Sequence, residues 1–190
     1  MRIAGIIFTG GKASRLGGAD KGAIDIDGTS SFARVAGAMG AADQMFAGVA
    51  CDHDGSRYRG CPVIPDRPDL LKFEDRDPGV ILSILSSLEF AASQGFDHIV
   101  TAPTDTPFLP VDYSARLLGR GPAVAVTGKH IHGLHAFLPV KSLEIVRNEI
   151  IENGLRRVSK IHEVLGSRRV EFTPGHMTNL NTPGDLKSLS

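Results

Sequence analysis

The sequence predicts a three-layer α/β fold with a mostly parallel central sheet, and three observations carry that expectation. Strand-like and helix-like segments alternate through most of the 190 residues, the pattern of repeated strand–helix–strand units. The opening run Ile3-Ala4-Gly5-Ile6-Ile7-Phe8 is short, continuous and rich in β-branched side chains, as a strand covered on both faces should be. A glycine-rich stretch, Thr9-Gly10-Gly11-Lys12-Ala13-Ser14-Arg15-Leu16-Gly17-Gly18-Ala19-Asp20-Lys21, leaves that strand directly. It therefore lies at a carboxyl edge, where open α/β sheets bind their ligands.

The remaining elements follow in order. Ala23 to Gly28 reads as a small extended excursion ending in a turn, and Ser30 to Gly40 as a helix with Ser30 as its N-cap. Gln44 to Ala50 is the second strand and Cys61 to Ile64 the third. The proline-punctuated segment from Pro65 to Gly79 is too long for a mere connection, and loops of that length usually bind something. Val80 to Gln94 carries helical periodicity; Phe96 to Ala102 is the next buried strand and delivers Asp105 to the same edge as the glycine-rich stretch. Ala123 to Val126 and Gly133 to Leu138 read as strands, Ser142 to Asn153 and Arg157 to Leu165 as helices, Arg168 to Phe172 as a last strand. A closing helix is expected from Pro183.

Bulk properties narrow the function. A chain of 190 residues suits one domain, 1–190, with a core that needs no disulfide or metal to hold it. Acidic and basic residues balance at 21 each, which gives no support to a nucleic-acid or membrane-surface binder and makes any basic site local. Cys51 and Cys61 have neither zinc-ribbon nor redox spacing, so reduced thiols and a cytoplasmic location are expected. No apolar run approaches the ~20 residues of a membrane span.

The glycine-rich stretch reads as a triphosphate cradle. Glycines let backbone N–H groups approach phosphate oxygens, while Arg15 and Lys21 add charge that backbone cannot supply. The Walker pattern does not fit, because Ala13 stands where a hydroxyl should meet magnesium, and G-x-G-x-x-G is absent after this strand. Neither a P-loop ATPase nor a dinucleotide-dependent hydride carrier is indicated.

The segment Phe8 to Gly22 resembles the L-A-G-G-x-S-x-R-M-G-x-D-K signature of the MobA-like nucleotidyltransferases, whose best-known members are molybdenum cofactor guanylyltransferases. Three further segments agree in order: Ile64-Pro65-Asp66, Pro103-Thr104-Asp105-Thr106-Pro107-Phe108-Leu109-Pro110, and Asn179-Leu180-Asn181-Thr182-Pro183-Gly184-Asp185-Leu186. The resemblance implies a Rossmann-like nucleotidyltransferase fold. It also implies transfer of GMP from GTP to molybdopterin, with release of pyrophosphate and Mg2+ as cofactor, the N-terminal half binding nucleotide and the C-terminal half the acceptor. Contact with cofactor-delivering or molybdoenzyme-maturation proteins would be transient. Cytidylyl transfer or sugar-phosphate nucleotidyl transfer on the same scaffold remains open, since the glycine loop reads phosphates and not the acceptor; so does a non-catalytic nucleotide-binding module.

Candidate residues follow. Asp105, just past a buried strand, aligns with the family's metal-binding aspartate, and one such carboxylate suffices for magnesium, which keeps much of its water. Arg15 and Lys21 would clamp the triphosphate as fork and point charge. Thr9, Gly10 and Gly11 fall in the signature, with Thr9 in place of its alanine. Asp66 matches the family's guanine-reading aspartate, since a carboxylate accepts both hydrogens of the guanine N1 and N2 edge. Asp52 falls near another family nucleotide position, and Gly79 in Pro78-Gly79-Val80 departs from the family's glycine-proline-leucine turn while still allowing close backbone approach. For an anionic acceptor the candidates are His135, beside His130, His132 and Lys129, together with Arg156 and Arg157; Asn179 and Asn181 resemble the family's acceptor-facing N-x-N-T-P segment. Alternation along a strand would put His130 and His132 on one face and His135 on the other, which argues against a zinc site.

Overall fold

The computed structural model describes residues 1–9, 21–49, 58, 60–70 and 79–180, with Lys21 described by its backbone. Gly10, Gly11, Arg15, Asp52, Asn181 and the helix expected from Pro183 lie outside the described residues. In chain order the elements are β1 (Ile3–Phe8), β2 (Asp25–Ile26), β3 (Thr29–Ser30), α1 (Ser31–Ala38), β4 (Gln44–Val49) and β5 (Val63–Pro65). Then come α2 (Val80–Ser93), β6 (His98–Pro103), α3 (Tyr113–Leu117), β7 (Ala123–Thr127), β8 (His130–Pro139), α4 (Leu143–Ile151), α5 (Val158–Val164) and β9 (Arg168–Glu171). Short 3-10 turns cover Lys21–Ala23, Pro68–Leu70, Val140–Ser142 and Pro174–Met177.

Seven strands form one sheet in the order β5-β4-β1-β6-β8-β7-β9, and β2 and β3 make a separate hairpin. The pairs β1–β4, β1–β6, β4–β5 and β7–β9 are parallel, while β8 runs against both of its neighbours. The mostly parallel sheet expected from the sequence is thus present, with β8 as the reversed strand.

Side chains along β1 show why its apolar run is unbroken. Ala4, Ile6 and Phe8 pack with Ile81, Ile84, Leu85 and Leu88 of α2, Val146 and Ile150 of α4 and Ile161 of α5. Ile3 and Ile7 pack the other way, with Val35 and Ala38 of α1 and Tyr113 and Leu117 of α3. Successive residues of a strand point to opposite faces, so a strand sandwiched between two helical layers has no polar position to offer. Leu85 and Leu88 are wholly inaccessible, and burying each contributes about 2 kcal/mol or more.

Two local rules hold at the helix ends. The Ser30 hydroxyl accepts the N–H of Ala33 at 3.2 Å, capping α1. Helix α2 starts at Gly79, whose φ of 60° and ψ of −160° lie in a region open essentially to glycine alone. Among the described residues no neighbour lies within 4 Å of where a Cβ would stand, and the requirement they show there is torsional.

The last part of the sheet departs from the simple reading. Strand β8 extends from His130 to Pro139, and its pairing with β7 jumps from Val124–Ala136 to Ala125–His132. Gly133, Leu134 and His135 are therefore extra residues in a wide bulge. The bulge is tied from both sides: Thr101 Oγ1 donates to Leu134 O at 2.7 Å, and His162 Nε2 donates to Gly133 O at 2.8 Å. Helix α3 and the bulge within β8 were not expected from periodicity.

Candidate active site

The carboxyl ends of β5, β4, β1 and β6 are stitched into one rim. Thr9, immediately after β1, gives both its N–H and its hydroxyl to Gly48 O of β4, at 2.9 and 3.1 Å. Its hydroxyl is spent on the neighbouring strand, so Thr9 anchors the exit of β1 instead of offering an oxygen to a ligand. Asp66 N–H donates to Val49 O at 2.9 Å, and Thr104 N–H donates to Phe8 O at 3.0 Å. Asp66 and Asp105 thus stand at the ends of β5 and β6, three strand spacings or about 14 Å apart along the rim.

Asp66 is held at two points and its neighbour Arg67 at a third. Besides its N–H, its Oδ2 accepts the Ser83 hydroxyl at 2.9 Å, and the N–H of Arg67 donates to Ser86 Oγ at 2.9 Å. Burial raises the Asp66 carboxyl to about 6 against the partial opposition of the Ser83 bond. At neutral pH it is still mostly ionised. The Arg67 guanidinium next door forks onto Asp69, at 2.5 and 3.2 Å.

Asp105 is half-buried, and its backbone carbonyl accepts the N–H of Leu180 at 2.7 Å. This bond brings the segment that begins at Asn179 up to the metal candidate; Leu180 is fully buried and Asn179 exposed. Thr106 Oγ1 donates to Pro103 O at 3.1 Å and meets His135 Nε2 at 2.8 Å. With the hydroxyl hydrogen directed at Pro103, His135 donates to Thr106. Its ring is 3 % exposed, and burial pushes it down to about 3, so it is neutral across the working pH range.

That placement corrects the strand-alternation picture. Because the bulge breaks the period of two, the rings of His132 and His135 meet edge to face at 5.7 Å, and those of His130 and His132 at 4.6 Å. His132 Nε2 bonds Thr127 Oγ1 at 2.9 Å. Among the described residues no group of three His, Cys, Asp or Glu side chains is placed to hold a metal. His135 lies beneath the Asp105 turn, out of reach of an acceptor on the surface.

Of the two arginines, Arg156 directs its guanidinium to Ile150 O and Leu155 O, at 3.0 and 2.9 Å, closing the C-terminal end of α4. Arg157 is exposed at the start of α5. The Ser83–Asp66, Ser86–Arg67 and His135–Thr106 contacts were missed from the sequence. The serines at spacing i, i+3 on the first turns of α2 were the one available signal.

Among the described residues the half-buried carboxylate just past β6 is of the kind that suits a hard cation bringing its own water and phosphate oxygens, as magnesium does. Asp105 is a residue that could give such an ion an oxygen ligand.

Solved structures with this architecture include nucleotidyltransferases. The molybdopterin-guanine dinucleotide biosynthesis protein A of Archaeoglobus fulgidus superposes with a TM-score of 0.66 at 18% identity, over 97% of this chain and 95% of that one. The 2-C-methyl-D-erythritol 4-phosphate cytidylyltransferase of Thermus thermophilus gives 0.68 at 13%, over 99% and 96%. At such identities the likeness is one of fold. The family follows from the sequence: the model of the MobA-like NTP transferase domain matches residues 5–167, and the chain belongs to that family. It is 32% identical to the molybdenum cofactor guanylyltransferase of Acidiphilium cryptum, with 97% of this chain and 92% of the relative covered. Identity to the enzyme of that name from Rhodobacter capsulatus is 33%, over 98% and 94%. No helix among the described residues is long and apolar enough to cross a membrane.

Proposed function

We propose that this chain is a molybdenum cofactor guanylyltransferase, moving GMP from GTP to the terminal phosphate of molybdopterin in the cytoplasm. The observation that supports this reading most is the convergence of Asp66, Thr9 and Asp105 on one rim, in the order base, phosphate loop, metal ligand. An acceptor phosphate oxygen attacks the α-phosphorus of GTP in line; the bond from that phosphorus to the bridging oxygen breaks, and pyrophosphate leaves with the electron pair. The acceptor phosphate is ionised at neutral pH, so no strong general base is needed. The work is positioning and charge neutralisation.

Asp66 accepts the N1 and N2 hydrogens of guanine, and Gly79 lets the nucleotide approach the start of α2. Gly10, Gly11, Arg15 and Lys21 cradle the phosphates, and Asp52 adds a further nucleotide contact. Thr9 holds the exit of β1 in place for them. Asp105 would hold Mg2+, which supplies positive charge to the phosphate oxygens when bound. On the acceptor side Arg157, Asn179 and Asn181 are the residues assigned to the incoming phosphate. Arg156 supports the turn before α5, and His135 the turn that carries Asp105. The N-terminal half thus serves the nucleotide and the C-terminal half the acceptor, within one domain.

Pyrophosphate release with GTP, CTP and ATP, each with and without molybdopterin, tests the reading. The expected result is turnover with GTP that depends on the acceptor. Turnover with CTP alone overturns the guanine assignment, and none with any nucleotide overturns the activity.

A further inference from the structure

We propose that Ser83 is the positioning residue that sets base selectivity, by fixing the plane of the Asp66 carboxylate; this rests on the reading of Asp66 as the acceptor for the guanine edge. A carboxylate pairs with N1–H and N2–H together only when its two oxygens lie in the plane of the base. Rotation about the last bond of an aspartate is soft and broad, so nothing within Asp66 itself defines that plane. The surroundings do. The backbone on either side of the side chain is pinned, by Asp66 N–H to Val49 O at 2.9 Å and by Arg67 N–H to Ser86 Oγ at 2.9 Å. With the backbone pinned, one further contact to a carboxylate oxygen orients the group, and the Ser83 hydroxyl makes it at 2.9 Å to Oδ2.

The donor is itself rigid. Ser83 sits in the first turn of a 14-residue helix whose next turn is buried through Ile84, Leu85 and Leu88. Its backbone carbonyl also accepts the Ser87 hydroxyl at 2.7 Å. An ionised carboxylate only accepts, so the Ser83 hydroxyl donates, and Oδ2 keeps a second lone pair for the base while Oδ1 supplies the other acceptor. The Arg67 guanidinium, engaged with Asp69, does not substitute for this contact. Ser83 is half-buried at the rim and lies on the helix that begins at Gly79, so the residue that admits the nucleotide and the one that orients its reader are one turn apart.

The test compares GTP with inosine triphosphate, which lacks the N2 amine, in Ser83→Ala, Ser83→Thr, Asp66→Asn and the unaltered protein. Melting temperature serves as the control for folding, since alanine is well tolerated in a helix. Ser83→Ala is expected to raise KM for GTP about tenfold with kcat at saturation within about twofold, and to reduce the preference for GTP over inosine triphosphate. Ser83→Thr, which keeps the hydroxyl, restores both. If Asp66→Asn leaves the preference unchanged, the guanine reading of Asp66 falls. If Asp66→Asn abolishes the preference but Ser83→Ala leaves it and KM intact, the role of Ser83 falls and that of Asp66 stands. Equal losses with both nucleotides, unrescued by threonine, would reduce Ser83 to a packing residue.

Discussion

The N–H of Leu180 donates to the carbonyl oxygen of Asp105 at 2.7 Å, joining the end of the described chain to the turn that leaves β6. Residues 75 positions apart in sequence are fastened by backbone atoms, so the position of Asp105 at the rim is set by main-chain bonding.

Asp105→Ala should therefore abolish transfer while the fold survives. The backbone bond to Leu180 is untouched by the substitution, and melting temperature measured alongside activity checks that the fold survives. Removing one centre of charge stabilisation costs about 10²–10³ in rate or more. Mg2+ should also cease to tighten GTP binding, measured by calorimetry with and without the ion. An unchanged rate of pyrophosphate release would remove Asp105 from the metal site.

The Asp66 carboxyl, raised to about 6, gives GTP binding a pH dependence. The charged form is the acceptor, so KM for GTP is expected to stay flat above about pH 7 and to climb as pH falls through 6, approaching tenfold per unit below about 5.5. Among the described residues Ser83 and the Arg67–Asp69 pair are the polar groups beside it: the first opposes the rise and the pair is largely self-neutralising. A KM constant from about pH 7.5 to 5 would contradict the role given to Asp66.

His135 ties acid sensitivity to the site. Its folded value near 3 lies below the ordinary 6.5, so the neutral ring is favoured in the fold. The stability this represents is fully present above about 6.5 and is lost as pH falls from there toward 3, because the unfolded chain takes up a proton that the folded one refuses. Between about pH 7 and 5 the loss amounts to about 2 kcal/mol. His135→Gln, which keeps a donor for Thr106 but does not titrate, should flatten that part of the stability curve when melting is followed by circular dichroism. Parallel curves for the two proteins would show that the ring is already charged or exposed.

Gly133 allows the β8 bulge to lie against α5. A Cβ there would stand 2.8 Å from Val158 Cγ1 and 3.4 Å from the N of Ser159. Gly133→Ala is expected to cost about 1–3 kcal/mol, the usual range for overpacking. Val158→Ala in the same chain should recover part of it, because the clash is with a stiff branched side chain that truncation removes. Urea unfolding of the single and double variants decides this; additive losses would refute the close approach.

The arginines at the start of α5 separate by function. Arg156→Ala removes donors to Ile150 O and Leu155 O and should lower stability by about 1 kcal/mol. Arg157→Ala, on an exposed side chain, should leave melting unchanged and raise KM for the acceptor. The reverse pattern would exchange their roles.

Much of this was legible from local signals. Both-face burial of β1, the Ser30 cap, the amphipathic run of α2 and the arrival of Asp105 at the rim all follow from periodicity and capping within short stretches of chain, and each is present. The paired serines of α2 were visible as residues but had no meaning until Asp66 was placed opposite them.

The sequence by itself determined that strands and helices alternate, that β1 lies between two helical layers, and that Asp66 and Asp105 follow strands at a carboxyl edge. These are consequences of short-range patterning, in which hydrophobic period and turn chemistry act along a continuous stretch of chain. Only the tertiary structure decided that β8 runs backwards between β6 and β7, that a bulge at residues 133–135 turns His135 under the Asp105 turn, and that Leu180 fastens the rim from the far end. Strand order and register are settled by pairing between segments far apart in sequence, and a bulge shifts every side chain beyond it, so no count along the chain reveals where such a ring will point.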